Sequence, residues 1–253
     1  MAGIAPIVLA DHLTWCEWAR LAGDGALLLS FGETPSVEVN RQVHRVARLL
    51  DSVRWEGLLA WVPAYTTLLV EFDPAVWTPQ DLLAALDQAL ASWEPSAERG
   101  WVWEVPVLYG GSHGPDLAEV AQRLGISPDE VIRLHTSTPY RIYCLGFSPG
   151  FPLAGLLPPP LRLPRRNTPR TAVYPGAVAI AGAQTGIYPL NTPGGWHLIG
   201  CTPVPLFDWS MSPPTPYQPG DALWFRSISA DEFDALWSER ERGRLQLKRV
   251  TAS

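Results

Sequence analysis

Four arginines, Arg162, Arg165, Arg166 and Arg170, fall within nine residues. Their segment is too rich in proline to hide them on a helix. A guanidinium presents a planar fork of donors that fits a carboxylate or phosphate two bonds at a time. The cluster therefore either binds an anion or salt-bridges the acidic first part of the chain. Two nearby turns carry complementary groups. Ala183-Gln-Thr-Gly186 offers an amide and a hydroxyl, and Thr192-Pro-Gly-Gly-Trp196 an indole. His135 closes a short predicted helix, where it either complements the helix dipole as a cation or moves a proton. Tyr109-Gly-Gly-Ser-His-Gly114, before another predicted helix, is either a plain loop or an anion-binding turn.

Other motifs fail on chemistry. Gly146-Phe-Ser-Pro-Gly150 has the spacing of a nucleophile elbow. An elbow needs a helix right after its serine, and residues 151–160 are too proline-rich for one. The next residue must also donate an N–H to the oxyanion, and Pro149 has none. The five histidines show no metal-ligand spacing, so no metal site is expected. The only lysine, Lys248, has no glycine-rich context, which excludes a Walker-type phosphate loop from this chain.

The elements that must position these groups divide by proline content. Residues 1–100 hold 6 of the 26 prolines and residues 101–228 hold the other 20. The first part reads as strand, strand, helix, strand, strand, helix. Strands are expected over residues 15–21 and 26–31 around Gly23-Asp-Gly25, and over residues 58–62 and 67–72. Val39, Val43, Val46 and Leu50 recur at a helical period after Ser36, a suitable N-cap. Thr78, Pro79 and Asp81 start the second helix, whose inner face is Leu82, Leu83, Leu86 and Leu90. Two helices on one face of a four-stranded sheet predict a ferredoxin-like α+β domain over residues 1–97. The second part, residues 98–228, opens with a strand and two short helices; the first ends at Gly125 and Ser127-Pro-Asp-Glu130 caps the second. Short β-type runs between proline and glycine turns then predict a mainly-β barrel or sandwich. Residues 229–253 read as a charged, helical tail.

Composition bounds the function. Of 253 residues, 47% are hydrophobic and 17% charged, enough for a packed core and too little charge for a disordered chain. Apolar runs such as residues 58–62 are far shorter than the roughly 20 residues of a membrane span, so no membrane association is expected. No basic region precedes an apolar stretch at the N-terminus, so no signal peptide is expected. Three widely spaced cysteines, Cys16, Cys144 and Cys201, suit a reducing cytoplasm rather than a disulfide framework. Residues 1–100 carry 13 acids against 6 arginines, and the whole chain is at −6, so nucleic acid is not an expected partner. The helix pair near residues 117–135 begins its second helix with acids, where a DNA-reading helix meets phosphate.

Six ordered motifs go further: Gly146-Phe-Ser-Pro-Gly-Phe-Pro152, Pro164-Arg-Arg-Asn-Thr-Pro-Arg170, Ile180-Ala-Gly-Ala-Gln-Thr-Gly-Ile-Tyr-Pro189, Thr192-Pro-Gly-Gly-Trp196, Leu198-Ile-Gly-Cys-Thr-Pro203 and Leu206-Phe-Asp208. Together they resemble the KipI / allophanate hydrolase subunit 1 family, and Val62-Pro-Ala-Tyr-Thr-Thr-Leu-Leu-Val70 extends the likeness to the first part. The resemblance implies an N-terminal α+β domain and a C-terminal cyclophilin-like β-barrel. It implies a non-autonomous subunit of an ATP-dependent 5-oxoprolinase, which opens the lactam of 5-oxo-L-proline to L-glutamate. Phosphorylating the amide oxygen creates a leaving group that water can then displace. ATP, with Mg2+, is expected to be shared with a second carboxyltransferase-like subunit and a metal-dependent third subunit. Other family members resemble inhibitors of sensor histidine kinase autophosphorylation, which makes such a kinase the alternative partner. The resemblance places Arg165 and Arg170 as anion clamps, with Phe147, Phe151, Gln184, Thr185 and Trp196 lining the site and His135 and Arg170 in catalysis. Three stretches depart from the family pattern: Cys201 where Arg is usual, Tyr174-Pro-Gly176, and Phe151-Pro-Leu-Ala-Gly155. A lost Arg removes one anion contact.

Overall fold

The computed structural model describes residues 8–11 (backbone), 13–93 and 100–250. The expected domain border around residue 97 and the histidine at position 12 lie outside the described residues. The chain divides into two compact units, Met1–Glu98 and Arg99–Ser253.

The first unit contains strands β1 (Val8–Asp11), β2 (Trp18–Leu21) and β3 (Ala26–Ser30), helix α1 (Val37–Ser52), strands β4 (Leu58–Pro63) and β5 (Thr67–Phe72), and helix α2 (Pro79–Ser92). Ser36 Oγ accepts the Val39 N–H at 3.1 Å and Thr78 Oγ1 that of Asp81, so both helices begin where their caps dictate. Val43, Val46 and Leu50 on α1 and Leu82 and Leu86 on α2 are sealed against Leu27, Leu29, Leu68 and Val70 of the sheet. The sheet is antiparallel, in the order β1-β2-β3-β5-β4. It has five strands rather than four. In a ferredoxin-like unit the fourth strand follows the second helix. Here β2, which precedes β3 through a hairpin, sits beside it, and the strand after α2 belongs to the other unit.

That second unit runs β6 (Val102–Tyr109), α3 (Leu117–Leu124), α4 (Pro128–His135), β7 (Tyr140–Leu145), β8 (Pro152–Gly155), β9 (Arg170–Val173), β10 (Ala177–Ala181), β11 (Gln184–Ile187), β12 (Thr192–Gly194), β13 (His197–Cys201), β14 (Ala222–Ser227), α5 (Ala230–Glu241) and β15 (Lys248–Val250). Seven strands, β13-β10-β11-β8-β7-β14-β6, close on themselves because β6 also pairs with β13. Closure removes both sheet edges. The seam requires Gly200: a Cβ there would stand 2.5 Å from Val107 Cγ1. β14 lies parallel to β6, from Ala222 opposite Val102 to Ser227 opposite Val107. Val105, Val107, Ile142, Val178, Ile180, Ile187, Ile199, Leu223 and Phe225 fill the interior with no exposed surface. Residues 229–250 are not a detached tail. After α5 the chain returns as β15 and pairs with β6, Lys248 opposite Glu104. Beside the barrel, β9 and β12 form a two-stranded ribbon that sets Gly194 opposite Arg170. Among the described residues, no helix is long and apolar enough to cross a membrane.

Candidate functional site

One cleft at the barrel surface gathers most of the residues singled out in the sequence. Its cavity volume is about 280 Å³, and Phe147, Phe151, Arg165, Arg166, Gln184, Tyr188 and Trp196 are among its lining residues. Phe151 leads into β8, Gln184 opens β11, and Trp196 follows β12. Their rings form an edge-to-face set, with Phe151 5.0 Å from Tyr188 and 5.4 Å from Trp196 between centroids. Such pairs are rigid as well as apolar. Close packing at Gly194 completes the wall, since a Cβ there would overlap the Tyr188 hydroxyl. Phe147 stands at the mouth. It is 67% exposed, meets Phe151 and Tyr188 edge-on, and has φ of 68°. Left-handed backbone under a bulky side chain costs about 1–2 kcal/mol, and such strain collects at functional loops.

The arginine loop divides by partner. Arg162 Nε donates to Leu157 O at 2.9 Å. Arg166 Nη1 and Arg170 Nη2 converge on Asp116 Oδ1 at 3.0 and 2.7 Å, and Arg166 also reaches Glu119 at 3.5 Å. Asp116, its side chain only 4% exposed, accepts the Leu198 N–H on Oδ2 at 2.7 Å. The bracing carboxylate thus comes from the second unit itself, not from the acidic first part of the chain. The Asp116 bond lifts the Arg170 guanidinium pKa further above its ordinary value. Arg165 is exposed, faces the cleft, and makes no ion pair among the described residues.

Three expected site residues lie elsewhere. Arg170 is tied to Asp116 behind the cleft wall. Thr185 alternates with Gln184 along β11, so its side chain points into the barrel. There Thr185 Oγ1 lies 2.8 Å from His135 Nε2 and donates to Ala179 O. His135 Nδ1 meets the Tyr109 hydroxyl at 2.7 Å. One tautomer satisfies the chain: Tyr109 O–H to Nδ1, and Nε2–H to Thr185. His135 has no exposed surface and stacks on Phe225 at 4.4 Å. Burial pushes its pKa down from 6.5 to about 3, so it is a neutral core residue out of reach of a ligand in the cleft. The glycine turn after β6 is committed as well: Gly110 N donates to Ile199 O and Asp116 N to Leu198 O. After Ser148 a strand follows instead of a helix, which is incompatible with an elbow. Cys201 is buried at the end of β13, its thiol pushed up to about 12.

Asp116, Arg166 and Tyr188 are the parts of this site that sequence reasoning does not select. Arg166 is visible within the cluster. Tyr188 lies inside one of the six motifs, but an aromatic beside Gly-Ile is not distinctive. Asp116 precedes a helix and so passes for a cap, yet its side chain makes no capping bond.

The donor set does not fit a nucleotide triphosphate. The cleft offers one uncommitted guanidinium, one amide and aromatic edges. Among the described residues no group of three His, Cys, Asp or Glu is placed to hold a metal ion.

The second unit thus defines an architectural class: a closed seven-stranded barrel with a two-stranded ribbon beside it and a small cleft at its surface. Comparison with known proteins gives that class its family. The model of the carboxyltransferase domain, subdomain C and D, matches residues 18–217, and the chain belongs to this family. It is 38% identical over 231 residues to a subunit of the 5-oxoprolinase of Bacillus subtilis, covering 86% of this chain and 95% of that protein. Its structure resembles the crystal structure of TTHA0988, with a TM-score of 0.72 and 42% identity over 81% of this chain; the chain spans 40% of that longer protein. The Kluyveromyces lactis urea carboxylase shares the fold, at a TM-score of 0.75 and 18% identity, over 97% of this chain and 25% of its own.

Proposed function

We propose that this chain is a cytoplasmic, non-autonomous subunit of an ATP-dependent 5-oxoprolinase, and that its cleft receives 5-oxo-L-proline. The observation that carries the reading is the pairing of Arg165 with Gln184 in one aromatic-walled cavity. The substrate bears a carboxylate and a ring amide. Arg165 suits the carboxylate as a bidentate partner. A side-chain amide both donates and accepts, so Gln184 suits the lactam C=O and N–H together. Phe151, Tyr188 and Trp196 hold the ring and exclude water. The chain's own residues bind and orient the lactam, and the nucleotide, with its Mg2+, belongs with a second carboxyltransferase-like subunit and a metal-dependent third subunit. Kinship with the Bacillus subtilis 5-oxoprolinase component supports the subunit role, and three free, buried cysteines suit a reducing compartment.

Reconstitution tests the proposal. ATP-dependent glutamate release is expected when the partner subunits are added, and is expected to vanish with Arg165→Ala. Steady turnover by this chain alone would refute the subunit role. Stable capture of a sensor histidine kinase without such turnover would replace it with the inhibitor function.

A further inference from the structure

We infer that the cleft is a monoanion site: it accepts a small molecule with a single carboxylate, and the carboxylate of Asp116 behind its wall keeps nucleotides and other polyphosphates out. The inference rests on reading the cleft as the substrate site and adds which anions it admits.

Half of the positive charge in the arginine loop is already countered by carboxylates, on Arg166 and Arg170. Arg162, Arg166 and Arg170 each have a partner inside the fold. Two of their other donors, Arg166 Nε and Arg170 Nη1, are sealed from solvent without partners, and Arg166 reaches the cleft lining with its charge countered by Asp116 and Glu119. Of the arginines that line the cleft, Arg165 projects a positive charge with no carboxylate beside it among the described residues; Arg162, exposed and bonded only to the Leu157 carbonyl, is not among the lining residues. Asp116 and Glu119 stand behind Arg166 and oppose any second negative charge on the ligand. Phosphoryl sites are built otherwise, with several cations, a metal ion or a fan of backbone N–H groups around each phosphate. In the nearest glycine turn the amides of Gly110, His113 and Gly114 are already bonded, the first to Ile199 O and the other two to Gly110 O. Size agrees: about 280 Å³ falls just below the ~300–1,000 Å³ typical of ligand pockets.

The test is calorimetric titration of the full chain with 5-oxo-L-proline, cyclopentanecarboxylate, 2-pyrrolidinone, pyrophosphate and MgATP, with competition between them. The two carboxylates are expected to bind and to displace one another, the neutral lactam to bind at least about 10-fold more weakly, and the polyphosphates not to compete. Arg165→Ala is expected to weaken carboxylate binding by about 10- to 100-fold, as loss of a charged hydrogen-bond pair implies. Arg165→Lys keeps the charge and loses the fork, so it falls between. Asp116→Asn frees two guanidiniums and is expected to let pyrophosphate in; should that variant not fold, the Arg165 series decides. Displacement of 5-oxo-L-proline by pyrophosphate or MgATP in the unaltered chain overturns the inference, as does the absence of any Arg165-dependent carboxylate binding. Binding of cyclopentanecarboxylate without 5-oxo-L-proline upholds the monoanion site and sinks the 5-oxoprolinase reading instead.

Discussion

Replacing Arg170 with alanine separates a ligand clamp from a structural brace. Its Nη2 lies 2.7 Å from Asp116 Oδ1, and the two side chains are 26% and 4% exposed. A hydrogen bond to a charged group at such a site contributes about 1.5–3 kcal/mol. The carboxylate keeps Arg166 and the Leu198 N–H after the substitution, so the lower half of that range applies, about 1.5–2 kcal/mol. For a unit of this size each kcal/mol moves the melting temperature by about 2–4 °C, which predicts a drop of roughly 3–8 °C. Scanning calorimetry reads the drop directly. A double-mutant cycle with Asp116→Asn should show a coupling of at least about 1 kcal/mol. At temperatures where the variant is folded, its affinity for 5-oxo-L-proline should stay within about threefold, a change of under about 0.7 kcal/mol. An unchanged melting temperature together with lost binding would refute the brace and return Arg170 to the ligand.

Burial holds His135 at about 3, against 6.5 for the free imidazole; the unfolded chain takes up that proton first, so stability is full above about pH 6.5 and falls toward pH 3 by about 1.4 kcal/mol per unit. Urea unfolding of His135→Gln between about pH 8 and pH 5 should lack that slope, and an unaltered slope would place the acid sensitivity elsewhere. Phe147→Gly relieves the left-handed backbone at φ 68° and should hold or raise stability by up to about 1 kcal/mol, while weakening ligand binding; unweakened binding removes Phe147 from the site. Burial pushes the thiols of Cys16, Cys144 and Cys201 up to about 12, so iodoacetamide at neutral pH should label them only after unfolding, and labelling of the folded chain at the free-thiol rate would contradict their burial.

The helices of the first unit are legible in the sequence because their signals are local. A cap three residues from its amide and apolar steps of three and four need no knowledge of the rest of the chain. Barrel closure has no such signal. β6 and β14 pair about 120 residues apart, as the Arg226–Glu104 contact across them shows, and neither strand's composition names its partner. β15 is only three residues long and charged, so it reads as tail until β6 is there to receive it. The ferredoxin-like expectation departs from the structure at the same level: the elements from β2 to α2 come in the expected order, but β1 adds a strand before them, and which strand lies beside β3 is decided by the hairpin from β2. In the site, alternation guarantees that only one of Gln184 and Thr185 can face the cleft. The sequence does not say which, because the choice belongs to the pairing of β11 with β8. Long-range charge pairing is equally hidden, since Asp116 meets arginines 50 and 54 residues away.

What fixes the cleft is its attachment to β13. Leu198 exchanges two hydrogen bonds with Asp116, one through the carboxylate and one through the backbone. His197 Nε2 reaches Pro164 O at 3.0 Å, and Arg166 N donates to Gly195 O at 2.8 Å. The arginine loop is therefore held at Pro164 by β13, at Arg166 by Gly195 just before that strand, and at Arg170 through Asp116, and Arg165 takes its direction from that frame. A site built on a rigid element keeps its geometry without a ligand and loses little ordering entropy when one binds. Phe147 is the exception, exposed and strained on a turn that no other strand holds. The cleft thus has fixed walls and one adjustable aromatic at its mouth. The charge selection argued for Arg165 depends on the walls, so it should survive changes at Phe147, whereas any change that detaches Asp116 from β13 should blur it.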